Sequence, residues 1–523
     1  MYLNLLNAKF LSITSTANLV IKRCTSSTIY SLSTNIKPTG SAIAVIRVSG
    51  EHTFRCLRHL IPCQKTIDKC VANPRKAFFS RLYDMKTKEM LDSSLVICFK
   101  GPLSYTGEDM CELHVHGSNA VISGVLSVLS GVHGFRPSVQ GEFTKRALIN
   151  NKMDLIEVEA INDLITSQTR SQRRRALSAI SGSVSQLYDN WRQLIIKLMA
   201  NIEALIDFGE EELIEESVFT GLKSTMNGLM TTISSHLEKC KNRSDLIKDG
   251  IKVSIIGEPN VGKSSLINRL CERELAIVSP ISGTTRDVIS TWLNINGYSV
   301  SISDTAGIKD IDNHLNDPIE KEGIVRAIKS AKNSDLILLV IDSTTLTDSH
   351  TLTDSHTLTD SHTLTDSHTL TDSHIESKLK AIHLNQWDNW SKKVIYLINK
   401  IDLLSQEDYN RLQQNCNQLF TDWSAISCKT SDGLEALMQK LSLVVEELCG
   451  NSMNEMLFIT NRHEAHLTQV VQQISQSLET LDKDIAISAH HLREAAQQLS
   501  YITGRITTED VLDVIFRDFC IGK

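Results

Sequence analysis

The stretch Gly257-Glu-Pro-Asn-Val-Gly-Lys-Ser264 decides the fold of the central third of this 523-residue chain. It follows Ile251–Ile256, which has the pattern of a buried strand, and it precedes Ser265–Leu270, which has the pattern of a helix. The backbone N–H groups of such a glycine-rich loop wrap phosphates, its lysine reaches the terminal phosphates, and its serine hydroxyl binds Mg²⁺. The stretch therefore predicts a nucleoside triphosphate site in an α/β phosphate-loop domain.

Four downstream motifs indicate which nucleotide binds. Gly283-Thr-Thr-Arg-Asp287 offers a threonine hydroxyl to the Mg²⁺ shell, and Asp304-Thr-Ala-Gly307 brings a carboxylate to the metal's water and a glycine to the γ-phosphate. Asn399-Lys-Ile-Asp402 supplies a carboxylate that accepts two N–H groups from guanine, a pair that adenine does not offer. Ser427-Cys-Lys429 is predicted to close over the base. Together these motifs indicate GTP rather than ATP.

One residue leaves the hydrolytic step open. In Ras-like enzymes the residue after the Asp-x-x-Gly turn is a glutamine that orients the attacking water. Here that residue is Ile308, whose side chain cannot hydrogen-bond to water. Either the domain is a slow switch, or other groups position the water and neutralise the charge.

Composition sets broad limits. The chain has a net charge of −7, which argues against non-specific electrostatic binding of nucleic acid. Its 12 cysteines include no Cys-x-x-Cys pair, so reduced thiols are the expected state. No apolar run approaches the length of a membrane-spanning helix. Residues 1–50 lack Asp and Glu and are rich in Ser and Thr, which predicts a mitochondrial transit peptide over residues 1–27, with an untargeted, poorly ordered start as the alternative.

Two apolar stripes and one repeat organise the rest of the chain. Apolar residues recur at helical spacing from Leu177 to Leu205 and again from Leu467 to Ile485, so we expect these two halves to pack on each other with the GTP domain inserted between them. Upstream, a compact α+β domain is predicted from strand-like Ala42–Val48 and Ser93–Phe99 and from helix-like Val121–Leu129. Thr345-Leu-Thr-Asp-Ser-His350 is repeated five times through His374 and is predicted to be a disordered surface-loop expansion without function.

Together these motifs resemble the MnmE/TrmE family of tRNA-modification GTPases, including its mitochondrial members. The most specific match is Ile502-Thr-Gly-Arg505 through Phe519-Cys-Ile-Gly-Lys523, because family members end in Cys-Ile-Gly-Lys. The N-terminal domain of the family is matched by Pro102-Leu-Ser-Tyr-Thr-Gly-Glu-Asp109, Glu112-Leu-His-Val-His-Gly117, Gly141-Glu-Phe-Thr-Lys-Arg-Ala147 and Lys152-Met-Asp-Leu155. The resemblance runs from about Thr28 to Lys523, apart from the repeat.

The resemblance implies the architecture. An α/β P-loop GTPase domain is inserted into an all-α helical domain, and an α+β folate-binding domain, through which family members homodimerise, precedes both. The implied boundaries are 1–27 for the transit peptide, 28–145 for the folate-binding and dimerisation domain, 146–248 for the first helical part, 249–448 for the GTPase domain with its repeat at 345–374, and 449–523 for the second helical part.

The resemblance also implies a function. The chain would hydrolyse GTP while it helps to add an aminomethyl-type group to C5 of the wobble uridine of tRNA. It would act with an MnmG-type partner that uses FAD and NADH, and with 5-formyl-tetrahydrofolate or a related one-carbon folate. Arg173-Arg-Arg175 is the best local basic patch for tRNA, although a solvated helix face is the alternative interpretation.

For the missing glutamine, the resemblance implies a bound K⁺ that neutralises charge. The ion would be held by Asn260, by the Ser279 and Ile281 carbonyls and by Thr284, while Ser264 and Thr285 hold Mg²⁺. Glu320 would orient the water, with Glu322 as the alternative and an ordinary surface glutamate as the competing interpretation. The implied nucleotide- and ion-binding set is Asn260, Val261, Gly262, Lys263, Ser264, Ser265, Ser279, Pro280, Ile281, Ser282, Gly283, Thr284, Thr285, Asp304, Thr305, Ala306, Gly307, Asn399, Lys400, Asp402, Ser427, Cys428 and Lys429.

For the folate, the resemblance points to Arg47, Glu112, Lys152 and Lys523. A glutamate can accept two N–H groups from the pterin edge, and arginine and lysine suit the folate's glutamate tail. Cys520 is either a nucleophile on the pyrimidine or a small packed residue.

Two other functions compete with tRNA modification. A ribosome-assembly or signalling GTPase would act as a binding switch, but such proteins often carry an RNA-binding module after the GTPase domain, and here that region lacks a Gly-x-x-Gly clamp loop. A folate enzyme that is merely regulated by GTP would rest on the N-terminal domain alone.

Overall fold

The computed structural model describes residues 27–36, 40–208, 216–240, 243–258, 260–273, 276–277, 290–304, 331–344, 393–450, 458–505 and 522. Residues 1–26 of the predicted transit peptide and the repeat at 345–374 therefore lie outside the described residues. The chain divides into two compact units. The first combines Met1–Ile165, Leu177–Leu237 and Asn461–Lys523, and the second combines Thr166–Ala176 and Glu238–Thr460. The domain boundaries implied by the resemblance stay predictions.

The described helices, in chain order, are Arg55–Leu60 (α1), Gln64–Ala72 (α2), Asn119–Ser130 (α3), Glu142–Ile149 (α4), Leu155–Thr166 (α5), Arg170–Ile180 (α6), Ser183–Phe208 (α7), Glu216–Cys240 (α8), Arg243–Asp249 (α9), Lys263–Arg273 (α10), Gln406–Leu419 (α11), Leu434–Cys449 (α12), Asn461–Thr480 (α13) and Ile485–Thr503 (α14). None of them is both long and apolar enough to cross a membrane. Within the same part of the chain, no cysteine forms a disulfide.

A six-stranded sheet opens the first unit. Its strands are Thr28–Leu32 (β1), Ser41–Ser49 (β2), Ala77–Tyr83 (β3), Met90–Phe99 (β4), Met110–Gly117 (β5) and Phe135–Pro137 (β6), in the spatial order β3-β4-β5-β2-β1-β6. Ala44, Ile46 and Val48 alternate along β2 and are fully buried in the same cluster as side chains of α1, α2 and α3. The two strands and the helix predicted here are confirmed, with β4 beginning earlier than expected, at Met90.

Among the helices of the first unit, α14 contacts both α7 and α13. The stripe predicted from Leu177 to Leu205 spans two helices, because α6 ends at Ile180 and α7 begins at Ser183. Most of the stripe lies on α7, where Val184, Trp191, Leu198 and Ile202 are buried. Leu194 of the same stripe is 39% exposed, so the buried face is narrower than predicted. The second stripe is not one helix: α13 ends at Thr480, and the Asp484 carboxylate accepts hydrogen bonds from the Ala486 and Ile487 N–H groups to begin α14.

A seven-stranded sheet forms the centre of the second unit. Its strands are Ile251–Gly257 (β7), Ala276–Ile277 (β8), Ser290–Ile295 (β9), Tyr298–Asp304 (β10), Leu336–Asp342 (β11), Lys393–Asn399 (β12) and Trp423–Ala425 (β13), in the order β13-β12-β11-β7-β10-β9-β8. From β13 to β10 the neighbouring strands are parallel, and β9 and β8 add antiparallel pairs. Because the carboxyl ends of parallel strands share one edge, the segments that follow β7, β11, β12 and β13 meet there.

A buried ion network ties the helices of the first unit together. Glu159 of α5 accepts from Arg462 Nε at 2.8 Å and lies 2.8 Å from His463 Nε2, a side chain that is fully buried. Arg462 also donates to the Tyr501 and Ile502 carbonyls near the end of α14. Burial alone would raise the pKa of Glu159, but the charges of His463 and Arg462 outweigh it and hold the pKa at about 2. Glu159 thus joins α5 to α13, and Arg462 joins α13 to α14.

Replacing Glu159 by Gln should destabilise the protein by about 2–3 kcal/mol at pH 7, because it leaves the buried His463 and the partly buried Arg462 without their counter-charge. Since folding lowers the Glu159 pKa, its contribution is complete above the unfolded pKa of about 4.3 and disappears as the pH falls towards 2. The stability difference between wild type and variant should therefore shrink over that window, as measured by urea unfolding at several pH values.

Glu203→Gln is the matched control, since Glu203 and its partner Arg493 form an exposed pair on α7 and α14. It should change stability by less than about 0.5 kcal/mol. Equal losses for the two variants would contradict the structural role given to Glu159.

Candidate functional site

The phosphate loop of the second unit has the backbone shape that its glycines allow. Gly257 ends β7 against β11, and a Cβ there would lie 2.3 Å from the Val340 carbonyl oxygen. Gly262 has a φ of +100°, and its Cβ would lie 2.3 Å from the amide nitrogen of Asn399. Asn260 also takes a left-handed conformation, at φ +65°. Larger residues at the two glycines would push the loop away from the sheet.

Lys263 begins α10 and folds its side chain back into this loop. Its Nζ donates to the Gly257 carbonyl at 3.0 Å and to the Glu258 carbonyl at 2.7 Å, and the side chain is buried. An ammonium enclosed by a glycine-rich loop at a helix N-terminus is a cradle for an anion. Ser264 and Ser265 follow in the first turn of α10.

The Asn399 amide joins the phosphate loop to the loop after β13. Its Nδ2 donates to the Val261 carbonyl at 2.7 Å, and its Oδ1 accepts from the Cys428 N–H at 3.2 Å. The Cys428 carbonyl in turn accepts from Arg269 Nε of α10 at 3.0 Å. The Asn399 side chain is buried, so breaking either bond would leave a buried polar group without a hydrogen-bond partner. Three segments far apart in sequence are thereby held in one arrangement.

Asp402 is oriented from the other side by Ser427. The Ser427 hydroxyl donates to Asp402 Oδ1 at 2.6 Å and accepts from the Lys429 and Thr430 N–H groups at 3.3 and 3.1 Å. This arrangement leaves the lone pairs of Oδ2 available for N–H donors of a base. The structure thus brings Asn260, Val261, Gly262, Lys263, Ser264, Ser265, Asn399, Lys400, Asp402, Ser427, Cys428 and Lys429 into one unit, at the edge predicted for a nucleotide.

The remaining predicted nucleotide, ion and catalytic residues divide into two groups. Asp304 is the last residue of β10, where its backbone pairs in register with Ile255 of β7. The following lie outside the described residues: Ser279, Pro280, Ile281, Ser282, Gly283, Thr284, Thr285, Thr305, Ala306, Gly307, Glu320, Glu322, Cys520 and Lys523. Where side chains are described, no group of three His, Cys, Asp or Glu residues could hold a metal ion. The Mg²⁺ and K⁺ ligand sets stay predictions.

A second polar cluster lies on the sheet of the first unit. Arg47 of β2 pairs in register with Glu112 of β5, and its Nε and Nη2 donate to Glu112 Oε1 at 3.1 and 2.9 Å. The guanidinium carbon lies 5.3 Å from the centre of the Tyr105 ring and 5.7 Å from that of Phe143. The resemblance implied that Glu112 binds the pterin of a folate and that Arg47 suits its glutamate tail. In the structure the two side chains are paired with each other.

Two further segments border this cluster. The Lys152 side chain lies beside Gly107 in the loop that carries Tyr105. Gly522 lies against Leu32 and Ser33, and its carbonyl accepts from the Ser33 hydroxyl at 2.9 Å. Gly522 therefore lies at the end of β1, the strand whose Ser31 pairs in register with Arg47. Arg47, Glu112 and Lys152 therefore lie in one region of the first unit.

The sequence missed several residues of these sites. Tyr105 lies inside the Pro102–Asp109 motif, and the structure places its ring beside Arg47. An aromatic residue in that motif was the signal that could have identified it. Asp342 and Arg269 bear no recognisable spacing to any motif and emerge only from the fold. The prediction of a basic patch at Arg173–Arg175 is wrong for Arg175. This residue is buried and donates to the Ser244 hydroxyl and the Ile459 carbonyl, so it contributes to packing and does not lie on a solvated face.

Two protein-family models match the chain: MnmE helical domain over residues 155–520, and GTP-binding protein TrmE N-terminus over residues 28–152. The mitochondrial 5-taurinomethyluridine-[tRNA] synthase subunit GTPB3 of Danio rerio is 38% identical, over 95% of this chain and 93% of that protein. The tRNA modification GTPase MnmE of Agrobacterium fabrum is 36% identical, over 95% and 99%. Among solved structures, Era of Aquifex aeolicus is 24% identical, and the match covers 42% of this chain and 66% of the Era chain with a TM-score of 0.27. The chain therefore belongs to the MnmE/TrmE family of tRNA-modification GTPases.

Proposed function

We propose that this GTPase of tRNA modification helps to add an aminomethyl-type group to C5 of the wobble uridine of mitochondrial tRNA. The observation that carries the nucleotide half of the proposal is the Asn399 amide, which fixes the phosphate loop and the base-recognition segments as one site. The RNA half rests on relatives whose names specify tRNA modification and, in vertebrates, 5-taurinomethyluridine. Those names give no support to a ribosome-assembly or signalling switch.

The test of this function is nucleoside analysis of the wobble uridine in mitochondrial tRNA from cells that lack the protein. Loss of the C5 substituent, restored by the intact chain, is the expected result. A normal wobble uridine in the deleted cells would contradict the proposal. The mitochondrial location follows relatives named mitochondrial, and import of a fluorescent fusion would test it separately.

In the proposed GTPase reaction, a water-orienting glutamate and a neutralising positive charge together compensate for the glutamine that is absent at Ile308. Lys263 and the loop N–H groups bind the β- and γ-phosphates, the Ser264 and Thr285 hydroxyls hold Mg²⁺, and Glu320 orients the attacking water. Bound K⁺ supplies positive charge next to the phosphates where negative charge develops. Asn260 is the described residue of that ion site, and its backbone is left-handed, at φ +65°.

The proposed folate site is built around Arg47 and Glu112. The pair is only partly buried, at 17% and 16% side-chain exposure, and lies beside the partly buried Tyr105 ring, on which a pterin can stack. Lys152 and the C-terminal Lys523 would bind the folate's glutamate tail. Both Arg47 hydrogen bonds end on Glu112 Oε1, so Glu112 could accept a pterin N–H group through Oε2 while it stays paired with Arg47.

The proposed architecture follows the boundaries given above, with the GTPase domain inserted into a helical domain. Support comes from the first unit, which unites Leu177–Leu237 with Asn461–Lys523. We further propose a homodimer formed through the N-terminal domains, and an FAD-dependent MnmG-type partner that supplies redox chemistry for which this chain carries no assigned residue.

Asp402→Asn should reverse base selectivity. An amide replaces one acceptor by a donor, which leaves guanine's N–H groups unmatched and suits xanthine. GTP turnover should fall sharply while XTP turnover rises, as measured by phosphate release with each nucleotide. Unchanged GTP kinetics would contradict the assignment of Asp402 to the base.

GTP hydrolysis should depend on K⁺. Because Ile308 cannot position water, turnover in Na⁺ at equal ionic strength should be much lower, and Asn260→Ala should remove most of the difference between the two salts. Phosphate release measured in each salt tests this. Equal rates for the wild-type protein would speak against an ion site.

Deleting Cys520–Lys523 should abolish tRNA modification while GTP turnover survives, since the described nucleotide-site residues lie in the second unit and the tail belongs to the first. Glu112→Ala should act in the same way by leaving the pterin donors unmatched. Wobble-uridine analysis and GTP turnover are to be measured on the same preparations.

Cys520→Ser is the matched control for this deletion, because it removes the thiol and keeps the tail. Retained modification would identify Cys520 as a packed residue, and lost modification with intact folate binding would identify it as a nucleophile. If GTP turnover collapses together with modification in the deletion variant, the tail does not complete a folate site.

A further inference from the structure

Asp342 lies at the carboxyl end of β11, next to the proposed guanine site but outside every motif. It pairs in register with Asn399 of the neighbouring strand, and its side chain is buried. Its Oδ2 accepts from Lys400 Nζ at 2.6 Å. Its Oδ1 accepts from the Thr344 hydroxyl at 2.9 Å and from the Thr344 N–H at 3.1 Å. Both carboxylate oxygens are therefore held in place, and one of them holds Lys400.

The next residue grips the backbone of the same lysine. The Ser343 hydroxyl is fully buried and donates to the Lys400 carbonyl at 3.0 Å. Lys400 adopts a left-handed backbone with φ +67°, a conformation that costs a lysine about 1 kcal/mol or more. The contacts from Asp342 and Ser343 thus stabilise an unfavourable turn between Asn399 and Asp402.

This turn sets the direction in which Asp402 points. Ile401–Leu403 forms a single turn of 3₁₀-helix directly after Lys400, so the Asp402 carboxylate depends on the backbone conformation at Lys400. Ser427 holds one Asp402 oxygen from the opposite side. We propose that Asp342 is a positioning residue for guanine recognition, which clamps Lys400 so that the Asp402 carboxylate faces the base. The proposal rests on the proposed assignment of the nucleotide site.

The charge of Asp342 has a second effect on specificity. Burial would raise the pKa of Asp342, but hydrogen bonds from Lys400 and Thr344 outweigh it and lower the pKa, so the carboxylate is ionised at neutral pH. It pairs with the Lys400 ammonium two residues before Asp402. Without that partner, the ammonium can turn to Asp402 and occupy the acceptor that guanine requires. Asp342 therefore keeps Asp402 available for the base.

The discriminating experiment compares GTP with ITP, whose base lacks the exocyclic amino group of guanine. Asp342→Asn should raise the KM for GTP about tenfold with little change in kcat, because it disturbs base binding and not the phosphate chemistry. The preference for GTP over ITP, taken as the ratio of kcat/KM values, should fall about fivefold, since the amino group gains less from a misdirected carboxylate. A general loss of folding would instead lower kcat/KM for GTP and for ITP by the same factor.

Asp335→Asn is the matched control. Asp335 lies at the opposite end of β11, where its carboxylate accepts from the Lys252 N–H at 2.8 Å, so it anchors the same strand away from the site. It should leave the GTP-to-ITP ratio unchanged. Ser343→Ala, which removes only the bond to the Lys400 carbonyl, should shift the ratio in the same direction as Asp342→Asn but less, and it provides the test if Asp342→Asn does not fold.

A double-mutant cycle shows whether Asp342 acts through Lys400. If it does, adding Asp342→Asn to Lys400→Ala should change the ratio by less than twofold, well below its effect in the wild-type background. Full additivity would overturn the proposal, and so would an Asp342→Asn ratio equal to that of Asp335→Asn. Failure of Asp402→Asn to shift selectivity towards XTP would instead overturn the site assignment itself.

Discussion

The nucleotide site depends on one buried amide. Asn399 donates to Val261 in the phosphate loop and accepts from Cys428 after β13, so two segments that share no secondary structure are fixed to each other through a single side chain. An amide suits this position because it presents a donor and an acceptor on one planar group, whereas Asp would lack the donor. Gly262 is constrained by the same group, since any Cβ there would collide with the Asn399 nitrogen. Gly262 and Asn399 belong to separate motifs, but the position of the Asn399 amide requires a glycine at residue 262.

The motifs could be located from the sequence because each follows a buried strand whose apolar pattern is local. The strand predicted before Gly257 is found as β7, Asp304 and Asn399 end β10 and β12, and parallel pairing brings the ends of these strands to one edge. What the sequence could not give is side-chain pairing across strands. Arg47 and Glu112 are far apart in the chain and meet only because β2 and β5 are antiparallel neighbours in one register. Asp342 and Lys400 meet because β11 and β12 are parallel neighbours whose register places Asp342 opposite Asn399.

Periodicity failed where helix ends and buried charge decide the outcome. The stripe from Leu467 to Ile485 keeps helical spacing through a turn, and only the capping carboxylate of Asp484 reveals that two helices are present. Arg175 sits in a basic run that resembles a solvated face, yet its guanidinium lies 4.5 Å from the Phe458 ring centre and bonds to buried groups. A long side chain can bury its charge wherever enough acceptors surround it, and a sequence pattern does not record those acceptors.

The repeat begins at Thr345, immediately after the residues that shape the proposed base site. Thr344 closes its hydrogen bonds onto Asp342, so the last contact needed by Lys400 is made before the insertion starts. The chain re-enters the described structure at Lys393, which pairs in register with Leu336 at the far end of β11. Both ends of the intervening segment are thus fixed by the sheet, and the entropy of closing a loop rises only with the logarithm of its length, by about 0.6 kcal/mol per doubling. An insertion at this point can lengthen without disturbing the hydrogen bonds from Asp342 and Ser343 to Lys400, because these bonds join residues before Thr345 to a residue after Lys393.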